Sequence, residues 1–164
     1  MEYRELGRTG VKQHGLPRPV SIQNAYNLVN RSFETGLSEI SYREQVSLLA
    51  YSPLGQGYLS GKYENGALPP GSRKTLFDRL GRYEKGSGPR AISNYVALAK
   101  RHGLDPAQMA IAFAVSRPFV TSVIIGATTM EQLKTDVAAA ELKLADDVLE
   151  DIEQIHLDTP NPCP

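Results

Sequence analysis

The chain's 164 residues are enough for one domain of ordinary size or for a piece of a larger one, and 41% hydrophobic residues are enough to form a core. A formal net charge of +0 gives no electrostatic reason to expect binding to nucleic acid or to an anionic membrane surface. Cys163 has no partner for an intramolecular disulfide, and the charged N-terminus is unlike a signal peptide. No apolar run approaches the ~20 residues that span a bilayer. A cytoplasmic protein is therefore expected.

The N-terminal third predicts a hairpin arm, a linker and two strands separated by a short helix. Residues 1–11 read as one strand that enters a glycine-bounded turn. In residues 12–19 the breakers Gly15, Pro17 and Pro19 predict a linker instead of a returning strand. Residues 20–23 alternate apolar and polar side chains as a strand does, residues 24–30 read as irregular, and a helix is expected between 33 and 40. Residues 46–51 predict a strand buried on both faces, because their alternation is poor.

The rest of the chain predicts a long loop, one further strand and four helices. Residues 64–89 read as a loop with one helical turn around 76–80. Helices are predicted over 90–102, from Asp105 and Pro106 up to Pro118, from a Thr128-x-x-Glu131 capping box through 140, and over 146–157. Residues 120–125 are the third strand, and the chain from Pro160 is expected to be disordered or draped over the surface.

Strands near 20, 48 and 123 with helices between them are typical of βα units in a parallel sheet. The predicted fold class is therefore α/β, with about three parallel strands and flanking helices. Three strands cannot close a barrel, since an eight-stranded barrel typically takes ~250 residues.

The most informative segment is an apolar strand that ends at Tyr51 and runs into Ser52-Pro53-Leu54-Gly55-Gln56-Gly57, with Lys62 following. Glycines at such a strand end let backbone N–H groups approach an anion, the lysine adds positive charge, and a tyrosine ring can lie against a flat heteroaromatic. This pattern predicts a phosphate-binding loop of a nucleotide site. Taken alone, the segment leaves open the alternative of a strand, a turn and an exposed lysine.

Two further segments can contact an anion. The strand through Ile125 leads by Gly126 to a helix N-terminus at Thr128, where free N–H donors and the helix dipole favour negative charge. The alternative is that Thr128 only caps its own helix. Arg73 follows a stiff Pro-Pro-Gly turn and can present a planar fork to a phosphate, or it can simply be solvated.

Metal and nucleophile chemistry have little support in the sequence. His14, His102 and His156 are not spaced with carboxylates or with Cys163 as metal ligands are. The chain has no Gly-x-Ser-x-Gly elbow, and the cysteine has no histidine at a plausible spacing.

In this order the anion-contacting segments closely resemble the C-terminal portion of the aldo-keto reductases, nicotinamide-dependent (β/α)8 barrel oxidoreductases. The likeness is greatest to the bacterial members that are similar to potassium-channel β subunits. Ile22-Gln23-Asn24-x-Tyr26-x-Leu28-x-x-Arg31 is similar to strand six and its following loop. Residues 49–63 resemble strand seven with its pyrophosphate loop, and residues 125–136 resemble strand eight with the segment for the 2′-phosphate and adenine. Residues 1–11 resemble the N-terminal hairpin.

The resemblance implies NADP(H) as cofactor and a role for each matching residue. Gln23 would hydrogen-bond the nicotinamide carboxamide, and Tyr51 would stack on the nicotinamide ring. The pyrophosphate would be held by Lys62 together with the loop residues Ser52, Pro53, Leu54, Gly55 and Gly57. The 2′-phosphate end would be held by Arg73, Thr128 and Gln132, with Gly126 allowing close approach. Asp136 stands where the family has asparagine, and its carboxylate cannot donate to adenine as an amide can.

The same resemblance implies a partial (β/α)8 barrel. Its parts are a hairpin remnant over 1–11, a junction over 12–19, the C-terminal half of the barrel over 20–157 and a tail over 158–164. Strands one to five of the family, which carry its Asp, Tyr, Lys and His tetrad, have no counterpart, so no catalytic residue is assigned. The expected protein is an NADP(H)-dependent oxidoreductase of carbonyl compounds by family, truncated and catalytically inactive.

One consequence and two alternatives follow from this interpretation. Unpaired sheet edges and an open inner face predict self-association or a complementary partner chain. The first alternative is a non-catalytic nucleotide-binding or protein-interaction module, and the second is a nonfunctional deletion product.

Overall fold

The computed structural model describes residues 4–5, 12–13, 19–77 and 81–164. Its strands are β1 (Arg4–Glu5), β2 (Lys12–Gln13), β3 (Ser21–Ala25), β4 (Ser47–Tyr51) and β5 (Val120–Ile124). Its α-helices are α1 (Leu37–Glu44), α2 (Arg73–Leu76), α3 (Gly88–Arg101), α4 (Pro106–Val115), α5 (Met130–Ala138) and α6 (Asp146–Asp158). Short 3-10 helices lie at Ser32–Thr35 and Gly81–Glu84, and 3-10 turns interrupted by left-handed residues lie at Gly55–Ser60 and Glu64–Gly66.

The main sheet has the order β3-β4-β5, and both pairs of strands are parallel. Each crossover carries helices, α1 between β3 and β4, and α2 to α4 between β4 and β5. The predicted α/β class, three parallel strands with flanking helices, is confirmed, and the architecture is that of part of a (β/α)8 barrel.

The two faces of this sheet have different surroundings. Leu48 and Ala50 of β4 are fully buried and belong to the hydrophobic core, together with residues of α3, α4 and α6. The opposite face carries Gln23, Leu49 and Ser122 in one row, and Tyr51 and Ile124 in the next row. Tyr51 is 38% exposed and Ile124 is 41% exposed. The expectation that β4 is buried on both faces is therefore wrong, because helices cover one face only.

Helices α3 and α4 supply most of the core opposite the sheet. The Asp105 carboxylate caps α4 by accepting a hydrogen bond of 2.9 Å from the Gln108 N–H, and Pro106 occupies the first turn, as predicted. Seven of the ten residues of α4 are buried, since the helix packs on α3, α5, β5 and the 55–60 segment. Among the helices of the described residues, none has the length and apolar content to cross a membrane.

The N-terminal hairpin has the returning strand that the sequence did not predict. Lys12 pairs with Glu5, and Gln13 pairs with Arg4, in antiparallel register. The linker prediction for residues 12–19 is therefore wrong at its start. Tertiary pairing overrode the breaker-rich local sequence there. The predicted helical turn at 76–80 falls partly on residues 78–80, which lie outside the described residues; the short helix that is described, α2, begins earlier, at Arg73.

The C-terminal tail is packed against the rest of the chain. The Cys163 N–H donates to the Val29 carbonyl at 3.0 Å, and the Arg31 N–H donates to the side-chain oxygen of Asn161 at 2.6 Å. Cys163 is 1% exposed, and burial raises the pKa of its thiol to about 11. The prediction of a disordered or loosely draped tail is wrong, since these contacts order it.

Arg31 connects the loop after β3 to α6. Its guanidinium donates to both carboxylate oxygens of Glu34, at 2.9 and 2.7 Å, and to Glu153 at 2.8 Å. The Arg31 side chain is 6% exposed and lies 5.4 Å from the centre of the Phe113 ring. Of residues 24–30, predicted as irregular, Asn24 and Ala25 belong to β3, and residues 25–30 are all buried.

Candidate functional site

The carboxyl ends of the three parallel strands lie side by side. Ala25 pairs with Tyr51, and Tyr51 pairs with Ile124, so the strands end at one level. The three following segments therefore leave the sheet at the same edge, where α/β proteins bind ligands. This edge brings the predicted segments after Tyr51 and after Ile124 together with the loop after Ala25.

The loop after β4 has an unusual backbone. Ser52, Gly55, Gln56 and Gly57 all have positive φ angles, of 57, 53, 58 and 98°. Three of these residues, 55 to 57, are consecutive, so the chain makes a tight left-handed turn after Leu54. The Gly55 N–H donates to the Ser52 carbonyl at 2.9 Å, and the Gly57 N–H donates to the Leu54 carbonyl at 2.9 Å. The N–H groups of Gly55 and Gly57 are therefore used within the loop, and phosphate binding by this loop stays a prediction.

Lys62 lies directly across this loop. A Cβ atom added at Gly57 would be 2.8 Å from the Lys62 Nζ and 2.6 Å from its Cε. The ammonium group is also 5.2 Å from the centre of the Tyr63 ring. The space that Gly57 leaves open is therefore occupied by the lysine side chain, which places a positive charge on the loop surface.

Asn27 supports the loop from below, and sequence reasoning missed it. Its side-chain N–H donates to the Ser52 carbonyl at 2.9 Å, while its oxygen accepts from the Val29 N–H at 3.0 Å. Asn27 is completely buried. An asparagine placed just after the carboxyl end of a strand was the signal that was available for this role.

Aromatic residues from the long 64–89 segment pack under the same loop. The Tyr83 ring would lie 3.1 Å from a Cβ at Gly55, and it stacks on Tyr58 with the ring centres 5.6 Å apart. The Tyr58 hydroxyl donates to Glu84 at 2.5 Å, and Glu84 also pairs with Lys74. Burial, then the hydrogen bond to Glu84, raises the pKa of Tyr58. Tyr83 and Glu84, which lie in the segment predicted as a loop, therefore help to hold the 55–60 turn in place.

Gln23 and Tyr51 share the open face of the sheet. Gln23 lies in the row with Leu49, and Tyr51 lies in the next row toward the carboxyl edge. Both side chains are exposed. A flat ring stacked on Tyr51 would therefore lie on the same face of the sheet as Gln23, which is one row farther from the carboxyl edge.

The α5 N-terminus differs in detail from the prediction. The capping residue is Thr129, whose hydroxyl accepts from the Gln132 N–H at 3.2 Å, and not Thr128. Thr128 instead donates through its N–H and its hydroxyl to the Gln132 side-chain oxygen, at 2.9 and 3.0 Å. The predicted capping box is wrong by one residue, because Gln132 binds back to residue 128. Thr128 and Gln132 are nevertheless brought together.

Gly126 and Arg73 are placed without close contacts. A Cβ at Gly126 would meet nothing within 4 Å, so the chain itself does not require glycine there. Arg73 begins α2 with its side chain exposed, and no ion pair within residues 19–77 and 81–164 joins it to the other predicted residues.

Asp136 is the one predicted residue with a buried charge. It is 5% exposed, and no hydrogen bond to its carboxylate is found within the described residues. Burial, and then the nearby Asp105, raise the pKa of Asp136, while Lys62 acts in the opposite direction.

His102, which follows the last residue of α3, contacts two aspartates of α6. It lies 2.8 Å from Asp151 and 3.7 Å from Asp147. The part of the chain that the structure describes contains no group of three or more His, Cys, Asp or Glu residues able to hold a metal ion.

Comparison with known proteins gives consistent matches. The sequence model of the Aldo/keto reductase family matches residues 2–157. Protein tas of Escherichia coli (strain K12) is 55% identical over 152 residues, which cover 93% of this chain and 44% of that protein. A putative voltage-gated potassium channel subunit beta of Schizosaccharomyces pombe is 33% identical over 156 residues, covering 90% of this chain and 45% of that protein. L-glyceraldehyde 3-phosphate reductase of Escherichia coli (strain K12) is 37% identical over 126 residues, which cover 71% of this chain and 35% of that protein. The chain spans less than half the length of each of these relatives.

Proposed function

Because this chain belongs to the aldo/keto reductase family, we propose that it forms the cofactor-binding side of a carbonyl oxidoreductase and binds NADP(H) at the carboxyl edge of β3, β4 and β5. The observation that carries the proposal is the loop after Tyr51. Its run of positive φ angles ends at Gly57, and the Lys62 ammonium lies across it. The positive charge of Lys62 favours an anionic pyrophosphate beside such a loop.

The nicotinamide end of the cofactor would lie on the open face of the sheet. The exposed Tyr51 ring offers an aromatic surface on which a flat heteroaromatic ring can stack. Gln23, on the same face and in the adjacent row, supplies both a donor and an acceptor for a carboxamide. The roles predicted for Gln23, for Tyr51 and for the loop after Tyr51 are thus compatible with one bound dinucleotide.

The other end of the cofactor would lie at the α5 N-terminus. Thr128 and Gln132 are already joined there by hydrogen bonds, and the Gly126 surface leaves room for close approach. Arg73 would close on the 2′-phosphate from α2. Asp136 contacts adenine in this proposal, at the position where the family has asparagine.

Carbonyl reduction itself needs more than this chain offers, and we propose that the chain alone is inactive. NADP(H) supplies the hydride when it is bound, and a positioned acid must protonate the carbonyl oxygen. On the open face of β3, β4 and β5, the side chains beside Tyr51 and Gln23 are Leu49, Ser122 and Ile124. These side chains provide no lysine, histidine or carboxylate to lower the pKa of a phenol. The segment that carries the family's tetrad is, in this proposal, replaced by the junction after the N-terminal hairpin.

The proposal is tested by measuring binding and turnover separately. NADPH fluorescence titration of the 164-residue chain should give saturable binding that Lys62→Ala weakens, with Lys143→Ala, an exposed lysine far along the chain, as control. Oxidation of NADPH in the presence of an aromatic aldehyde should not exceed the rate without protein. Turnover at the ~1–10³ s⁻¹ typical of enzymes would overturn the inactive assignment. Absence of binding would overturn the cofactor site and favour the nonfunctional deletion product.

The same data bear on the non-catalytic alternative. Binding without turnover agrees with a nucleotide-binding module derived from the family, which is the form of the proposal that we favour. We place the protein in the cytoplasm, on the ground that its one cysteine, Cys163, is buried and unpaired.

A further inference from the structure

Helix α5 carries an apolar stripe that faces away from the core. Met130, Leu133 and Val137 follow the three- and four-residue spacing of one helix face, and they are 60, 38 and 58% exposed. Together with Lys134, Ala138 and Glu141 they line a shallow groove of about 390 Å³. Monomeric proteins seldom leave such a row of large side chains uncovered, and it is typical of an interaction surface.

The sheet edge next to this helix is also unpaired. Strand β5 pairs with β4 on one side, and no strand within the described residues pairs with its other side. The same holds for the outer side of β3. Ile124 and Tyr51 on the open face lie between these two edges. Parallel sheets normally have both faces covered, and exposed edges can pair with another chain, so three kinds of surface are left without a partner.

We propose that the α5 stripe and the two free strand edges are one docking surface for a second chain that carries five parallel βα units of the aldo/keto reductase type. The proposal rests on the family assignment, and it deepens the proposed function by naming what completes the site. A strand added beside β5, with its helix packed on Met130, Leu133 and Val137, covers edge and stripe together. The last of the five strands would pair with β3.

The number of strands argues for this partner over a second copy. Three strands and five strands make the eight of a (β/α)8 barrel, whose interior is just filled by side chains. Two copies of this chain would give six strands and a narrower interior. That interior would have to hold two Tyr51 rings, two Leu49 and two Ile124 side chains from the open faces. The length of the relatives agrees, since Protein tas extends well beyond the 44% that matches this chain.

Co-expression tests the proposal. The partner probe is the part of Escherichia coli Protein tas that lies outside its match with this chain, produced in the same cells as the tagged 164-residue chain. Native mass spectrometry and sedimentation should give a complex with one copy of each. Replacement of Leu133 and Val137 by lysine in one double variant should weaken the complex by about tenfold or more, because charges would be buried at the seam. The control is Tyr42→Lys with Leu157→Lys, two exposed apolar positions on other helices.

The outcomes separate this inference from the proposed function. The α5 double variant should keep the thermal stability of the free chain, because its two sites are solvent-exposed there, and NADPH binding by the free chain is measured in parallel. A 1:1 complex that the α5 variant loses and the control keeps supports the docking surface. A homodimer, no complex, or equal loss in both variants overturns it, even when NADPH binds. A complex without NADPH binding overturns the cofactor site instead.

Discussion

Replacement of Arg31 by alanine should strongly destabilise the protein. The guanidinium holds Glu34 with two hydrogen bonds and Glu153 with a third, and it is 6% exposed. Glu34 also accepts a hydrogen bond from the Tyr26 hydroxyl. In the variant, the Glu34 carboxylate stays partly buried without its cation. The loop after β3 and helix α6 lose the contact that joins them.

The size of the effect follows from the exposure of each partner. Loss of one member of a buried ion pair costs about 3–5 kcal/mol, and the 27% exposure of Glu34 favours the lower end of that range. Glu153 is 48% exposed, so its pair adds about 0–1 kcal/mol. The sum, about 3–4 kcal/mol, is a large part of the roughly 5–15 kcal/mol that stabilises a typical domain. For a chain of this size the melting temperature should fall by roughly 6–16 °C.

Urea denaturation followed by far-UV circular dichroism measures this difference. Arg43→Ala is the matched control, because Arg43 forms a 2.8 Å pair with Glu39 in which both side chains are mostly exposed. That pair is worth about 0.3–0.5 kcal/mol. A double-mutant cycle with Glu34→Ala isolates the coupling between the two side chains. If Arg31→Ala costs no more than Arg43→Ala, the idea that this cluster holds the loop to α6 is wrong.

Three further predictions concern the loop, a buried hydroxyl and acid stability. Gly57→Ala should weaken NADPH binding by about tenfold or more in a fluorescence titration, because a φ of 98° is strained for alanine and the added Cβ would displace Lys62. The control is Gly66→Ala, which is also strained but has nothing within 4 Å of the added Cβ, and it should leave NADPH binding unchanged. The Tyr95 hydroxyl is buried without a hydrogen-bond partner in the described residues, so Tyr95→Phe should raise the free energy of unfolding by about 1 kcal/mol. Tyr26→Phe, which loses a hydrogen bond to Glu34, should lower the free energy of unfolding in the same urea experiment. Although burial opposes it, hydrogen bonds from Arg31 and Tyr26 hold the pKa of Glu34 below its ordinary value of 4.5, so its contribution to stability is present above that pH and is lost as the pH falls through the lowered pKa. Glu34→Gln should flatten this acid limb of the stability curve, and an unchanged pH dependence would show that Glu34 is not its source.

The local sequence determined the elements whose signals lie within a few residues. Asp105 and Pro106 start α4 where predicted, because an acceptor side chain and a fixed φ angle act on the first turn alone. The three strands and the glycine-containing loop after Tyr51 are similarly local, since alternation and backbone freedom are properties of neighbouring residues. The turn after Tyr51 was therefore visible in the sequence alone, whereas its binding of a phosphate stays a prediction.

Long-range contacts decided what the sequence left open or gave wrongly. Residues 12–13 became a strand because Arg4 and Glu5 were available to pair with them. The tail from Thr159 became ordered because Val29 and Arg31 accept and donate its hydrogen bonds, over separations of more than a hundred residues. The support that Asn27 gives to Ser52 also depends on two strands ending at one level. Local patterns specify which backbone conformations are favourable, but only the tertiary structure determines which partners are near enough to satisfy buried polar groups.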